Sequence, residues 1–293
     1  MGESAPRPKT VETSVGPVEV AVQGSGPPVM LIHGTPGGSD SSVAMGKFLV
    51  DGGFELIAPS RPGYLGTPLG DRTGIDDQAD LLAALLDELG HDRAGVLSWS
   101  GGGPSGYRLA VRHPDRVSAL VAFASVSKAY PRPKEALEER LMMETRPGNW
   151  VLRFLSSHAP KTTVSATLGA EGDLSKKELR ALVSEALDRE DERNVVLTMA
   201  EVVGDYSNRR AGVDNDWERF GAIESLELER ISAPTLIIHG SADTDVPPEQ
   251  GENAAAAISG AEHLVMDRGT HLALWVHPDA APAQERAAEK LGA

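Results

Sequence analysis

Cysteine is absent from all 293 residues, which excludes disulfides, thiolate nucleophiles and cysteine-ligated metals. Aromatic side chains are few, with four tryptophans, four tyrosines and five phenylalanines, and this weighs against a pocket built for large aromatic substrates. No apolar run is long enough to span a bilayer. The opening MGESAPRPKT lacks the apolar stretch of a secretion signal. Met1-Gly2 would suit myristoylation, but Pro6 stands where serine or threonine is wanted. Positive charge is in deficit: 28 Lys and Arg face 43 Asp and Glu, for a net charge of −15. Such a balance opposes nonspecific binding to nucleic acid or anionic membrane. The expectation is a soluble, cytoplasmic protein with neither as partner. The length suits one large domain, or one domain carrying an insertion.

What is present centres on Arg93–Gly103, RAGVLSWSGGG. Ala94 to Leu97 are small or apolar, the pattern of a buried strand, and a helix is expected from Pro104 to Val111. Between them stands Ser98-Trp99-Ser100-Gly101-Gly102. A strand that turns sharply into a helix at Ser-x-Ser-x-Gly has the form of a nucleophile elbow. Small residues two before and two after the serine leave room for the crowded backbone. Ser98 replaces the usual first glycine and is still small. The turn would lift Ser100 out of the sheet ahead of a helix N-terminus, whose free N–H groups favour developing negative charge. The alternative is a glycine-rich loop with a solvent-facing serine, and only the rest of the chain discriminates.

Thr10–Val15 and Val18–Val22 flank Gly16-Pro17 and read as a hairpin. Val29–Ile32 is a short buried strand ending at His33-Gly34-Thr35-Pro36-Gly37-Gly38, with a helix expected over Ser39–Leu49. A strand over Phe54–Pro59 runs into Ser60-Arg61-Pro62-Gly63-Tyr64. Ile75–Leu89 has apolar residues at helical spacing, and Val117–Ala124 is a further strand. This alternation predicts a parallel sheet covered on both faces. From 126 to 231 it breaks into helical stretches: Lys134–Thr145, Trp150–Ser157, a capping box at Ser175–Glu178 opening a helix to Glu190, Glu192–Val203 and Val213–Ile223. Pro234–Ile238 and His263–Met266 resume the strands, with helices over Pro248–Ile258 and Pro278–Leu291.

With Ser100 on an elbow, His33-Gly34 after an earlier strand and a histidine after the last strand, the chain resembles an α/β-hydrolase. The resemblance implies a mostly parallel central sheet of about eight strands flanked by helices. It places the core at 1–125 and 232–293 and a helical cap at 126–231. It further implies a Ser, acid, His triad in that chain order. In His239-Gly240-Ser241-Ala242-Asp243-Thr244-Asp245, Asp243 lies three residues after the glycine, as in the family's acid loop, and Asp245 is the second choice. Of eight histidines, only His271 combines a loop after a strand with the required order. The oxyanion hole would take the N–H of Gly101 and that of Thr35, since Pro36 has none. Trp99, Tyr64, Trp150, Phe154 and Leu272 are candidates for the pocket wall, though each could equally be packing. Arg61 could meet a substrate carboxylate, but an ion-pair role is favoured.

The implied chemistry is hydrolysis of a carboxylic ester or lactone of a small molecule through an acyl-enzyme, and the scheme requires neither metal nor cofactor. The HGTPGG loop is similar to that of proline iminopeptidases, which keeps an aminopeptidase reading open, with Glu135, Glu138, Glu139 or Glu144 to hold the substrate ammonium. Carbon–carbon bond hydrolysis is a third enzymatic reading. A binding protein that keeps the fold without the chemistry is the reading from another class. The oligomeric state is not legible.

Overall fold

The computed structural model describes residues 6–132 and 145–292. The described residues form β1 (Lys9–Glu12), β2 (Pro17–Gly24), β3 (Pro28–Ile32), α1 (Ser39–Met45), α2 (Lys47–Asp51), β4 (Glu55–Pro59), α3 (Ile75–Leu89), β5 (Ala94–Trp99), α4 (Gly103–Arg112) and β6 (Val117–Phe123). Five helices follow: α5 (Arg146–His158), α6 (Pro160–Ala170), α7 (Lys176–Asp188), α8 (Glu190–Gly204) and α9 (Arg210–Gly221). The chain closes with β7 (Thr235–Gly240), α10 (Glu249–Ala257), β8 (Glu262–Met266) and α11 (Ala280–Leu291).

The eight strands make one sheet in the order β1-β2-β4-β3-β5-β6-β7-β8. The β1–β2 and β2–β4 pairs are antiparallel, and every other pair is parallel. This is the α/β-hydrolase architecture that the sequence resemblance implied. Side chains alternate along a strand, so β3 divides its apolar residues between two layers. Val29 and Leu31 join Met45, Leu49 and Leu291 on one face. Met30 and Ile32 join Leu82, Leu109 and Ala254 of α3, α4 and α10 on the other. Every residue of β5 is buried, as a strand covered on both sides requires.

Helices α5 to α9 lie between β6 and β7 in sequence, and the sheet gains no strand from them. Val164, Leu168, Val195 and Val196 of α6 and α8 share the apolar cluster of Leu97 and Trp99, so sheet and insertion pack through one continuous core. An isolated bridge from Gly172 to Asp243 pins the insertion to the loop after β7.

Two local readings differ, and a third cannot be placed among the described residues. The helix over Ser39–Leu49 is two helices, α1 and α2, which meet at Gly46. Helix α6, PKTTVSATLGA, stands where the sequence signals none, because its threonines, valine and serine disfavour helix and its apolar residues are too few to mark a face. The helix expected over Lys134–Thr145 lies outside the described residues, except for Thr145, whose hydroxyl caps α5 by accepting from the Gly148 N–H at 3.2 Å.

Candidate active site

Ser100 stands at the end of β5 with φ of 54°, in the left-handed region that costs a residue with a side chain about 1 kcal/mol or more. A single 3-10 turn, Ser100–Gly102, leads directly into α4. Small residues around the turn have a steric cause. A Cβ on Gly106 would lie 2.9 Å from Ser98 Cβ, so the elbow helix rests directly on the strand. A Cβ on Gly101 would lie 2.2 Å from Thr35 Oγ1, so the elbow also touches the loop after β3.

The structure brings Ser100, His271 and Asp243 together. His271 Nε2 is 2.9 Å from Ser100 Oγ, and His271 Nδ1 is 2.8 Å from Asp243 Oδ2. An ionised Asp243 accepts from Nδ1–H, which leaves Nε2 free to take the serine proton. Asp243 is fixed in turn: its Oδ1 accepts the N–H groups of Asp245 and Val246 at 2.9 and 3.0 Å, and His239 Nε2 lies 3.4 Å from its Oδ2. Burial alone would raise the Asp243 carboxyl, but the charge of His271 and the hydrogen bond from His239 hold it below its ordinary value. The His271 backbone is held on both sides: its N–H donates to Glu171 O at 3.0 Å, and its carbonyl accepts Trp99 Nε1–H at 3.3 Å.

Burial would lower the His271 imidazole. Asp243, by charge and hydrogen bond, then Asp245 and Glu171 by charge, outweigh it and push His271 up to about 9. Glu171 and Asp245 each put a carboxylate oxygen within 4.8 Å of the other and of a His271 nitrogen. Burial and the charge of Asp245 raise Glu171 well above the usual carboxylate range, and Asp245 is raised as well, first by burial. Two carboxyls this close resist double ionisation and titrate as a pair. The group has the donor types of a metal site. Both His271 nitrogens are engaged, however, by Asp243 and Ser100, so the ring offers a metal no lone pair in this arrangement.

The loop His33-Gly34-Thr35 is tied to the insertion through buried charges. His33 Nδ1–H donates to Gly34 O at 2.8 Å, and its Nε2 accepts the Arg61 N–H at 2.9 Å, which fixes the neutral tautomer. Burial, then the Arg61 charge, holds His33 well below its ordinary value. Arg61 pairs with Asp216 of α9 through two bonds of 2.9 and 2.7 Å, both side chains being 1% exposed. This is the ion-pair role expected for Arg61. Tyr64 OH and Thr35 Oγ1 also donate to Asp216 Oδ2, at 2.5 and 2.6 Å.

Of the residues named for the pocket wall, Tyr64 and Leu272 are wholly buried, and Trp99 packs tilted on His271 with ring centroids 5.3 Å apart. Trp150 and Phe154 stand 66% and 48% exposed on α5, where Phe154 stacks on both Trp150 and His158. Clefts of about 350 and 440 Å³ open against α7, and Ser100 lines neither. Glu135, Glu138, Glu139 and Glu144 lie outside the described residues.

The family model of the alpha/beta hydrolase fold matches residues 27–278. The chain belongs to the α/β-hydrolase fold family. The solved alpha/beta hydrolase fold protein from Nakamurella multipartita is 49% identical to this α/β-hydrolase, covers 97% of this chain and 99% of its own, and superposes with a TM-score of 0.95. The 2-hydroxy-6-oxononadienedioate/2-hydroxy-6-oxononatrienedioate hydrolase 1 of Pseudomonas putida is 26% identical over 261 residues, 86% of this chain and 84% of that one. The pimeloyl-[acyl-carrier protein] methyl ester esterase of Neisseria meningitidis serogroup C is 26% identical over 252 residues, 80% and 82% of the two chains. Among the described residues of this hydrolase, no helix is long and apolar enough to cross a membrane.

Two features of the site escaped the sequence reading. Asp216 falls on the apolar stripe Val213, Trp217 and Phe220 of α9, and a carboxylate on such a stripe is a signal of a buried partner. Glu171 ends α6, the helix that was not anticipated, and nothing local marks it.

Proposed function

We propose that this α/β-hydrolase-fold chain is a serine hydrolase that cleaves a carboxylic ester or lactone of a small molecule through an acyl-enzyme on Ser100. The continuous relay of 2.9 Å from Ser100 to His271 and 2.8 Å from His271 to Asp243 carries this reading. His271 takes the Ser100 proton as Oγ attacks the carbonyl carbon, and Asp243 stabilises the imidazolium that forms. The N–H groups of Thr35 and Gly101, on loops that touch, receive the oxyanion. His271 then protonates the leaving alcohol and activates the water that releases the acid. In this reading helices α5 to α9 belong to a cap at 126–231 that shields the acyl carbon from bulk water.

Relatives named for a methyl ester and for an oxo-dienedioate leave ester and carbon–carbon hydrolysis as the two chemistries to separate. The carboxyl pair Glu171–Asp245 beside His271 favours the first, because it repels a dianionic substrate at the reacting centre. The same pair would suit an ammonium, which keeps the aminopeptidase reading as the second choice.

The decisive experiment treats the protein with a fluorophosphonate and assays p-nitrophenyl butyrate, prolyl-naphthylamide and a vinylogous diketone. Expected are covalent labelling of Ser100, preference for the ester, and loss of at least about 10⁴-fold in kcat together with all labelling in Ser100→Ala. Well-folded protein that takes no label and turns over none of the three would favour a binding protein instead.

A further inference from the structure

We infer that Asp216 is a positioning residue for the oxyanion loop, fixing the Thr35 backbone from the inserted helix α9 through the Thr35 hydroxyl and Arg61. This rests on the reading of Ser100 as an acyl-transfer nucleophile.

Asp216 lies on α9, yet its contacts run to the sheet side. Its Oδ2 receives Tyr64 OH, Thr35 Oγ1 and Arg61 Nη2, and its Oδ1 receives Arg61 Nη1. Besides one Nη1 bond to Gln78 Oε1 at 3.3 Å, Arg61 donates to the same loop: Nε to His33 O at 3.1 Å, and Nη2 to Gly34 O and Thr35 Oγ1, both at 3.0 Å. One carboxylate thus orders three consecutive residues, His33, Gly34 and Thr35, directly or through one intermediary. The Thr35 hydroxyl that donates to Asp216 is also the atom packed against Gly101, where a Cβ would lie 2.2 Å away. Both amides assigned to the oxyanion hole therefore border a single side chain whose orientation Asp216 sets.

A buried ion pair that served stability alone would often be matched by apolar residues of the same volume. Here its bonds end on the loop whose amide must meet an oxyanion to within a few tenths of an ångström. Placing Asp216 on the insertion also makes the hole complete only when α9 is docked. Without Asp216 the unpaired Arg61 cation would stay nearby and draw the loop carbonyls toward itself, which misplaces the Thr35 N–H.

The test compares Asp216→Asn, Thr35→Val and Thr35→Ser with wild type on one p-nitrophenyl ester. Active sites are counted by fluorophosphonate titration, and affinity is measured for a matched trifluoromethyl ketone, whose hemiketal oxyanion fills the hole. Asp216→Asn is expected to lower kcat per titrated site by about 10- to 100-fold, part of what a lost oxyanion donor costs. KM should stay within about threefold, and ketone affinity should fall in the same proportion as kcat. Thr35→Val, which keeps the backbone N–H and removes only the hydroxyl, should lose about tenfold more kcat than Thr35→Ser. A variant that merely folds poorly would show fewer titratable sites, each at the wild-type rate. That result, or equal losses in the two Thr35 variants, would overturn the inference. Wild-type protein that neither takes the label nor cleaves the ester would instead remove the acyl-transfer reading itself, and this shows before any variant is compared.

Discussion

His271 titrates among three carboxyls with different duties. Asp243 holds its Nδ1, whereas Glu171 and Asp245 act on it through space. A base held near 9 is mostly imidazolium at neutral pH and cannot accept the Ser100 proton, so kcat/KM should climb with pH until His271 loses its proton. Removing a negative neighbour destabilises the imidazolium and lowers that pKa. The double variant Glu171→Gln, Asp245→Asn, which removes the pair's charge whichever member carries it, is therefore expected to move the acid limb of the pH–rate profile down by about half to one pH unit and to raise kcat/KM at pH 6. A limb that stays in place, or moves up, would mean that both carboxyls stay protonated throughout and exert no charge on His271. The two groups also differ in how they could be read. Asp243 and His271 each follow a strand end within a short local pattern, so chain order and offset point to them. Glu171 and Asp216 reach the site only because helices far along the chain pack there, and no local pattern encodes that docking.

Among elements, the contact of β5 with α4 sets how sharply the elbow turns. Ser98 replaces the glycine usual two residues before the nucleophile, and Gly106 compensates from the helix, with 2.9 Å between Ser98 Cβ and a Cβ built on Gly106. Two effects oppose each other in Gly106→Ala. Alanine is a better helix former by about 1 kcal/mol, while overpacking a tight contact costs about 1–3 kcal/mol. With Ser98 in place the clash should win, lowering stability by about 0.5–2 kcal/mol in urea unfolding. In a Ser98→Gly background the neighbouring atom is gone, so the same change should be neutral or stabilising, giving a coupling of about 1 kcal/mol in the double-mutant cycle. Additive effects would show that strand and helix do not press on one another. The middle of the sheet was legible because its central strands are nearly continuous apolar runs, and β3, β5 and β7 begin within a residue or two of where the runs do. The insertion was less so. Helix α6 carries threonine, serine and glycine and is stabilised by burying Val164 and Leu168 against the shared core, which is tertiary information. The break at Gly46 likewise depends on how α1 and α2 each meet β4.

At the scale of the whole molecule, the net charge of −15 and the carboxyl pair beside His271 would act in the same direction on an approaching substrate. The molecular charge acts over a Debye length, about 30 Å at 0.01 M salt and about 10 Å at 0.1 M, while the pair acts at contact and is screened far less. The two contributions are therefore separable with three esters of the same acyl group, one with a cationic alcohol, one neutral and one anionic. At low ionic strength kcat/KM should rank cationic above neutral above anionic. Between 0.01 and 0.5 M salt the cationic advantage should shrink by about three- to tenfold as the long-range field is screened. A residual preference at high salt belongs to Glu171 and Asp245, and the double variant Glu171→Gln, Asp245→Asn should abolish that residue while leaving the salt-dependent part in place. If the order of the three esters were reversed, the carboxyl pair would have to face away from the acyl carbon, and the preference for an ester over a dianionic carbon–carbon substrate would lose its electrostatic basis.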